Sequence, residues 1–193
     1  MRYLLYVFTG NIKGTGMPEH REGTPTELRD LESFLWCDFD TTAAWRKWSE
    51  QRRFDSHAAE ASFKEAGEVQ RALRQLEASN NGITASADVS KAMTTLNHAI
   101  EQHALRPRIT ADGVRMHAGP GDAVGHVLQI AIQAMTTCAW PRFKLCRDPA
   151  CRASFFDASK NGSKIWCSME LCGSRNKMRR HRGKAAPPTQ DVV

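Results

Sequence analysis

The chain has 193 residues, 41% hydrophobic and 25% charged, enough for one sizeable domain with its own core and a small module besides. No run approaches the roughly 18 consecutive apolar residues of a membrane helix, and the apolar run in MRYLLYVFTG is shorter than the roughly 7–15 residues of a signal-peptide core, with no small-x-small cleavage site after it; no membrane association and a cytoplasmic location are expected. The formal charge of +6 is uneven: residues 142–184 hold twelve Lys/Arg against three acids, and the remainder holds 15 against 18, which points one end of the chain at an anionic partner.

Residues 2–9 read as a first β-strand, and Gly10, Gly14, Gly16, Pro18 and Gly23 make 10–23 a loop. Gly14-Thr15-Gly16 lacks the third glycine of a dinucleotide fingerprint and carries no nucleotide assignment. Thr24-Pro25-Thr26-Glu27 has the form of a capping box with proline at the first helical position. It opens a helix with Leu28, Leu31, Phe34 and Leu35 on one face. Asp40-Thr41-Thr42 starts a second helix, carrying Trp45 and Trp48. From His57 to Ser79, Phe63, Ala66, Val69, Leu73 and Leu76 recur at helical spacing, and Asn80-Asn81-Gly82 stops the pattern. Ser86 caps another helix, with Val89, Met93, Leu96 and Ile100.

The period then changes from helical to alternating. Arg108 to His117 alternates around Asp112-Gly113, a pair that favours a tight turn with positive φ, so a β-hairpin is expected. Gly119-Pro120-Gly121-Asp122 begins a helix reaching about Cys138, apolar on most sides and therefore the central core helix. Trp140-Pro141 ends it, and the basic segment follows without a long linker.

Cys146, Cys151, Cys167 and Cys172 form two pairs, each with four residues between its members, and fifteen residues separate the pairs. Lasting disulfides are disfavoured in a cytoplasmic protein, and the spacing matches neither common ferredoxin pattern. One structural zinc ion fits best, since Zn²⁺ takes four thiolates tetrahedrally and each pair converges from one knuckle. The surrounding Lys and Arg offset the net charge of such a centre. Asp148-Pro149 suits a turn in the first knuckle, and Phe155, Phe156 and Trp166 are candidates to pack around the metal. Cys37 and Cys138 stand alone on apolar helix faces and read as buried thiols. Four cysteines close the shell, and no His-x-Glu or His-Glu-x-x-His lies nearby, so no enzyme is expected. His57 with Asp55 or Glu60, and His117 with Asp122, can be drawn as acid–base pairs, but nothing in the sequence fixes their geometry.

Ser168 can cap a helix that starts in the second knuckle. Arg175, Arg179 and Arg182 then share one face, and Lys177, Arg180 and Lys184 an adjacent one. Such a helix can lie along phosphates or enter a major groove. The alternative is an RNA- or protein-binding zinc module in which Phe155, Phe156 and Trp166 stack on bases, which requires them to be exposed. The fold class expected is mainly α (α+β). A helical N-terminal domain over 1–141 carries a short strand and a β-hairpin. A small four-cysteine zinc finger over 142–184 ends in the basic helix, and 185–193 form a flexible tail.

The run from Arg142 to Arg182, RFKLCRDPACRASFFDASKNGSKIWCSMELCGSRNKMRRHR, strongly resembles the CGNR zinc finger. That module ends bacterial proteins whose larger N-terminal part is called the ABATE domain. The upstream order, including Leu105-Arg106-Pro107-Arg108 before the hairpin, is similar too. The resemblance implies a stress-induced transcription regulator that binds double-stranded DNA. Cys146, Cys151, Cys167 and Cys172 would be the zinc ligands, and Arg175, Lys177, Arg179, Arg180 and Arg182 the DNA face. Ser174 stands where the signature has Asn, and Tyr6-Val7-Phe8-Thr9-Gly10-Asn11 departs from the family's opening segment. A regulator needs a second input, so a small-molecule effector among the helices is expected, with His98, His103 and His126 as candidate contacts, as is a homodimer.

Overall fold

The structure, a computed structural model, describes residues 23–37, 39–55, 61–83 and 86–184. The strand expected at 2–9, the Gly14-Thr15-Gly16 loop, His57, Glu60 and the tail 185–193 lie outside the described residues. Among the described residues, six helices and two antiparallel strand pairs make a mainly helical α+β fold.

A 3₁₀ turn at Thr26–Leu28 leads into α1 (Arg29–Trp36). The capping box is not formed: Pro25 occupies the cap position with no side-chain bond, and the Thr24 hydroxyl is buried without a partner. The 3₁₀ turn tightens the entry instead. Helix α2 (Thr42–Gln51) starts as expected, with Thr41 Oγ1 accepting from Ala44 N at 3.2 Å. Helices α3 (Phe63–Asn80) and α4 (Ser86–Gln102) pack along each other. Strands β1 (Arg106–Thr110) and β2 (Gly113–His117) form the hairpin. Its turn centres on Ala111-Asp112 rather than Asp112-Gly113, because Thr110 pairs with Gly113. Gly113, at φ 113°, takes the positive-φ position at the end of the turn, where a side chain would be strained.

Helix α5 (Ala123–Thr136) is the central helix. Asp122 caps it by accepting from Gly125 N at 2.8 Å, and Val124, Val127, Leu128, Ala131 and Ala134 are buried along it. Around it sit Leu31, Phe34 and Leu35 of α1, Val69 and Leu73 of α3, and Leu96 of α4. Phe34, Phe39, Trp45 and Trp48 form an aromatic cluster in which the two indoles stack at 5.1 Å. Two further expectations fail. Met93 is half-exposed at a cleft between α4 and α5. Cys138 is exposed, not a buried thiol, because the chain turns left-handed there (φ 58°) to leave α5.

A 3₁₀ turn at Trp140–Arg142 leads to β3 (Phe143–Leu145), which pairs with β4 (Ser154–Phe156). A π-helical turn at Met169–Gly173 runs directly into α6 (Ser174–Lys184).

Candidate metal centre

The centre is assembled by two turns and one short sheet. Strand β3 delivers Cys146, whose N–H continues the ladder to Ala153 O at 2.9 Å. The Asp148 carbonyl then accepts from Cys151 N at 2.9 Å and Arg152 N at 3.1 Å, which folds the first knuckle and points Cys151 back at Cys146. In the second knuckle Ser168 Oγ accepts from Leu171 N at 3.1 Å, and Ser168 O accepts from Cys172 N and Gly173 N, both at 3.1 Å. This wide turn brings Cys172 round to face Cys167. Gly173 leaves room for the turn: a Cβ there would lie 3.1 Å from Met169 Cε and 3.4 Å from Trp166 Cδ1.

The four sulfur atoms all lie within 4.8 Å of one another. Cys151 to Cys167 is 3.6 Å and Cys167 to Cys172 is 3.7 Å. A tetrahedron with metal–sulfur bonds of about 2.3 Å has edges of about 3.8 Å, so the spacing fits a zinc ion. The electrostatics agree. Burial, then the neighbouring Cys167 and the other thiols, push the Cys172 thiol far up, so four clustered thiolates require a cation among them. Cys146, Cys151, Cys167 and Cys172 would hold the ion, and it would supply cross-linking of the two knuckles.

Around this centre the packing is only partly apolar. Phe155 is buried against Cys146 and Cys172, with Trp166 partly buried beside them. Phe156, one residue on, faces the other way and meets Phe143 at 5.1 Å in the main core. The rest is held by buried charge. Lys144 donates to Asp157 Oδ2 at 2.9 Å and to the carbonyls of Gly162 and Lys164. Burial works against the Asp157 charge, but Ser159, Lys144 and Lys164 N–H bring its pKa down to about 2. Asp148, fully buried, accepts from Ala150 N at 3.1 Å and Arg175 Nη1 at 2.8 Å, with Arg179 Nη2 at 3.5 Å. Burial opposes this charge too; the Ala150 amide and the two guanidinium groups hold the carboxyl below its usual range.

Helix α3 docks the module. Arg74 donates to Ser154 Oγ at 2.8 Å and Arg152 O at 2.7 Å. Asn80 donates to Trp140 O and Phe143 O, both at 2.9 Å, and Asn81 to Leu145 O at 2.8 Å and Ile165 O at 3.1 Å. Arg147 returns a bond to Asn81 O at 2.7 Å. The Ser154 hydroxyl donates to Glu77 Oε2 at 2.6 Å. Burial pushes the Glu77 carboxyl up to about 8, with Ser154 and Arg74 opposing that rise.

The basic residues divide into two sets. Arg175 and Arg179 turn inward to Asp148, although both remain partly exposed. Lys177, Arg180 and Arg182 are exposed. Ser174 is exposed, and its hydroxyl donates to Met169 O at 3.3 Å. Among the histidines, His98 is exposed, and His126 sits 3.0 Å from Asp30. His103 Nδ1 lies 2.7 Å from Asp122 and Nε2 lies 3.1 Å from Glu65, and the Asp122 contact raises its pKa. Asp122 therefore partners His103 rather than His117. His103 lines a cavity of about 340 Å³ with Asp55, Ser62, Pro120 and Asp122.

Sequence reading missed Lys144, Asp157, Glu77 and the anchoring role of Asp148. The signal was faint: three acids in a segment of twelve bases, two of them fully buried. Acids that sparse in a basic module are more readily explained by internal pairing than by surface charge.

Residues 142–185 match the family model of the CGNR zinc finger. A search of curated proteins found no match to the chain. Among the described residues no helix is long and apolar enough to cross a membrane.

Proposed function

We propose that the chain is a zinc-dependent, DNA-binding transcription regulator in which a structural zinc ion on four cysteines sets α6 against a duplex and the helical region senses a signal or dimerises. The carrying observation is the exposure of Lys177, Arg180 and Arg182 on a helix whose first turn is fixed by Cys172 and by the buried carboxylate of Asp148. A helix held at its start presents its cations in one orientation, which suits phosphate contact better than a loose basic tail. Arg175 and Arg179 serve both ends, since each is partly exposed and has donors left beyond Asp148. Four thiolates close the metal shell, so the ion has a structural role and no position for substrate. The burial of Phe155 and the turning of Phe156 into the main core remove two bases' worth of stacking platform, which favours duplex over single-stranded RNA. The His103 cavity is the proposed effector site. A stress-responsive regulator is the setting that the resemblance of the finger segment suggests, and a cytoplasmic location is proposed with it.

The test is to incubate zinc-loaded full-length protein with fragmented genomic DNA and competitor and sequence what is retained. Discrete enriched sites are expected. Retention without enrichment would reduce the reading to charge-driven binding. Lys177→Ala with Arg180→Ala is expected to flatten the dependence of log affinity on log salt by about 2, one counterion per lost phosphate contact. An unchanged slope would remove α6 from the interface.

A further inference from the structure

The β1–β2 hairpin packs on α5 through β2, and most residues of both strands are exposed. Across it Arg106 pairs with His117 and Arg108 with Arg115, while Pro107 pairs with Met116 and Ile109 with Val114. Cross-strand partners share a face and successive residues alternate, so one face of the ribbon carries three arginines and a histidine and the other is aliphatic. Met116 is partly buried against the core and anchors the base of the ribbon. Farther out Ile109 is 90% exposed and Val114 62% exposed.

The two faces differ in what they do for the hairpin itself. A β-branched pair directly across the strands stabilises a two-stranded ribbon, so Ile109 and Val114 are explained by local structure. Arg108 opposite Arg115 does the reverse, because like charges in that relation repel. The acid that pairs with this face among the described residues is Asp112, 78% exposed, 3.7 Å from Arg115. The residues outside 142–184 carry more acids than bases, so this cationic face sits on the acidic part of the chain and owes nothing to the metal centre. It is an arrangement that an anion would relieve.

We infer that the hairpin is a second nucleic-acid contact, its Arg106, Arg108 and Arg115 face binding the sugar-phosphate backbone of the duplex that α6 holds. The inference rests on the DNA-binding reading above. A two-stranded ribbon has the dimensions to enter a major groove, and arginine is the side chain best suited to phosphate there. The placement is also suitable. The hairpin joins α5 at its start and the finger joins it at its end, and 14 residues of helix put about 20 Å between those attachments. The two contacts lie on different elements and share no residue, so their counterion releases add.

The experiment measures the salt dependence of binding of full-length, zinc-loaded protein to a labelled duplex of about 30 base pairs, between about 50 and 200 mM salt. Wild type is compared with Arg108→Ala/Arg115→Ala, with Lys177→Ala/Arg180→Ala, with the two pairs combined, and with Arg108→Lys/Arg115→Lys. The hairpin alanine variant is expected to lose about 2 from the slope, the combined variant about 4, and the lysine variant little. Removing a like-charge pair should leave the melting temperature unchanged or raised, which separates loss of contact from loss of fold. A wild-type slope in the hairpin variant, with a reduced slope in the α6 variant, would overturn this inference and spare the DNA reading. No salt-dependent duplex binding by wild type would overturn both. Binding to phosphatidylserine vesicles that the hairpin variant alone loses, with its duplex slope intact, would also overturn it and assign the ribbon to a lipid surface.

Discussion

The helical body and the metal module solve the same problem with opposite materials. The body buries Phe34, Trp45, Leu31, Leu35, Leu73, Val69, Val124 and Leu128 around α5. Around the metal centre the buried apolar side chains reduce to Phe155 beside Cys146 and Cys172, because the module's other fully buried one, Phe143, packs in the core of the body. Some 40 residues cannot enclose enough apolar surface to outweigh chain entropy unaided. The module compensates with a metal, with two fully buried carboxylates that are each met by a cation, and with hydrogen bonds lent by α3. Its polar groups are directed at backbone carbonyls and its charges at each other, so geometry is tightly specified where hydrophobic burial is scarce.

That contrast can be broken at the metal first. Cys151→Ser is expected to abolish stoichiometric zinc and unfold the module, while far-ultraviolet circular dichroism retains most of the helix signal. Zinc binding in isolated fingers is worth on the order of 10 kcal/mol, which makes this the largest effect. Metal content that stayed at one ion per chain would exclude the four-sulfur centre.

Next in size is the body's own core. Trp45 is fully buried, stacks on Trp48 and donates from Nε1 to Ser62 Oγ at 3.3 Å. Trp45→Ala should lower unfolding free energy by about 3–5 kcal/mol in denaturant titrations. Zinc content of the folded fraction should not change. A loss below about 1 kcal/mol would show that the aromatic cluster repacks and is not the keystone of that end.

The junction gives a smaller, pH-dependent effect. Glu77 has its carboxyl raised from 4.5 to about 8 by burial. Between those values the folded chain holds a proton that the unfolded chain has released, so stability falls as pH rises, by up to about 1.4 kcal/mol per pH unit from this group. The contribution is most favourable below 4.5 and is fully lost above 8. Glu77→Gln keeps an acceptor for Ser154 and removes the titration. Relative to wild type it should gain about 2 kcal/mol between pH 6 and 8, read from denaturant midpoints with zinc present. Parallel pH profiles for the two proteins would mean that Glu77 is charged throughout, paired by Arg74.

How much of this could be read from the sequence follows the same divide. Apolar periodicity placed the faces of α1, α3 and α5 because hydrophobic burial leaves a repeating trace. Cysteine spacing disclosed the metal centre because ligand geometry constrains separation along the chain. The docking surface left no such trace. Asn80 and Asn81 read as a helix stop, and they are one, but both amides also reach carbonyls 60 to 84 residues later. Arg74, Glu77 and Asn81 lie at i, i+3 and i+7 on one side of α3, a polar stripe that could have been noticed beside the apolar one. The split between Phe155 and Phe156 was invisible for another reason: strand alternation says that neighbours face opposite ways, but not that both directions are interiors.

Strand β4 is thus a party wall. Phe155 furnishes one interior and Phe156 the next, while Ser154, the residue before them, is bonded to α3. The module is therefore not a portable cassette. Excised as 142–184, it would lose the amides of Asn80 and Asn81 and leave Phe143 and Phe156 bare to solvent, an invitation to aggregate. Grafted by a flexible linker onto another protein, it would carry its basic helix but no fixed bearing for it. Whatever α6 touches, its aim is set by α3.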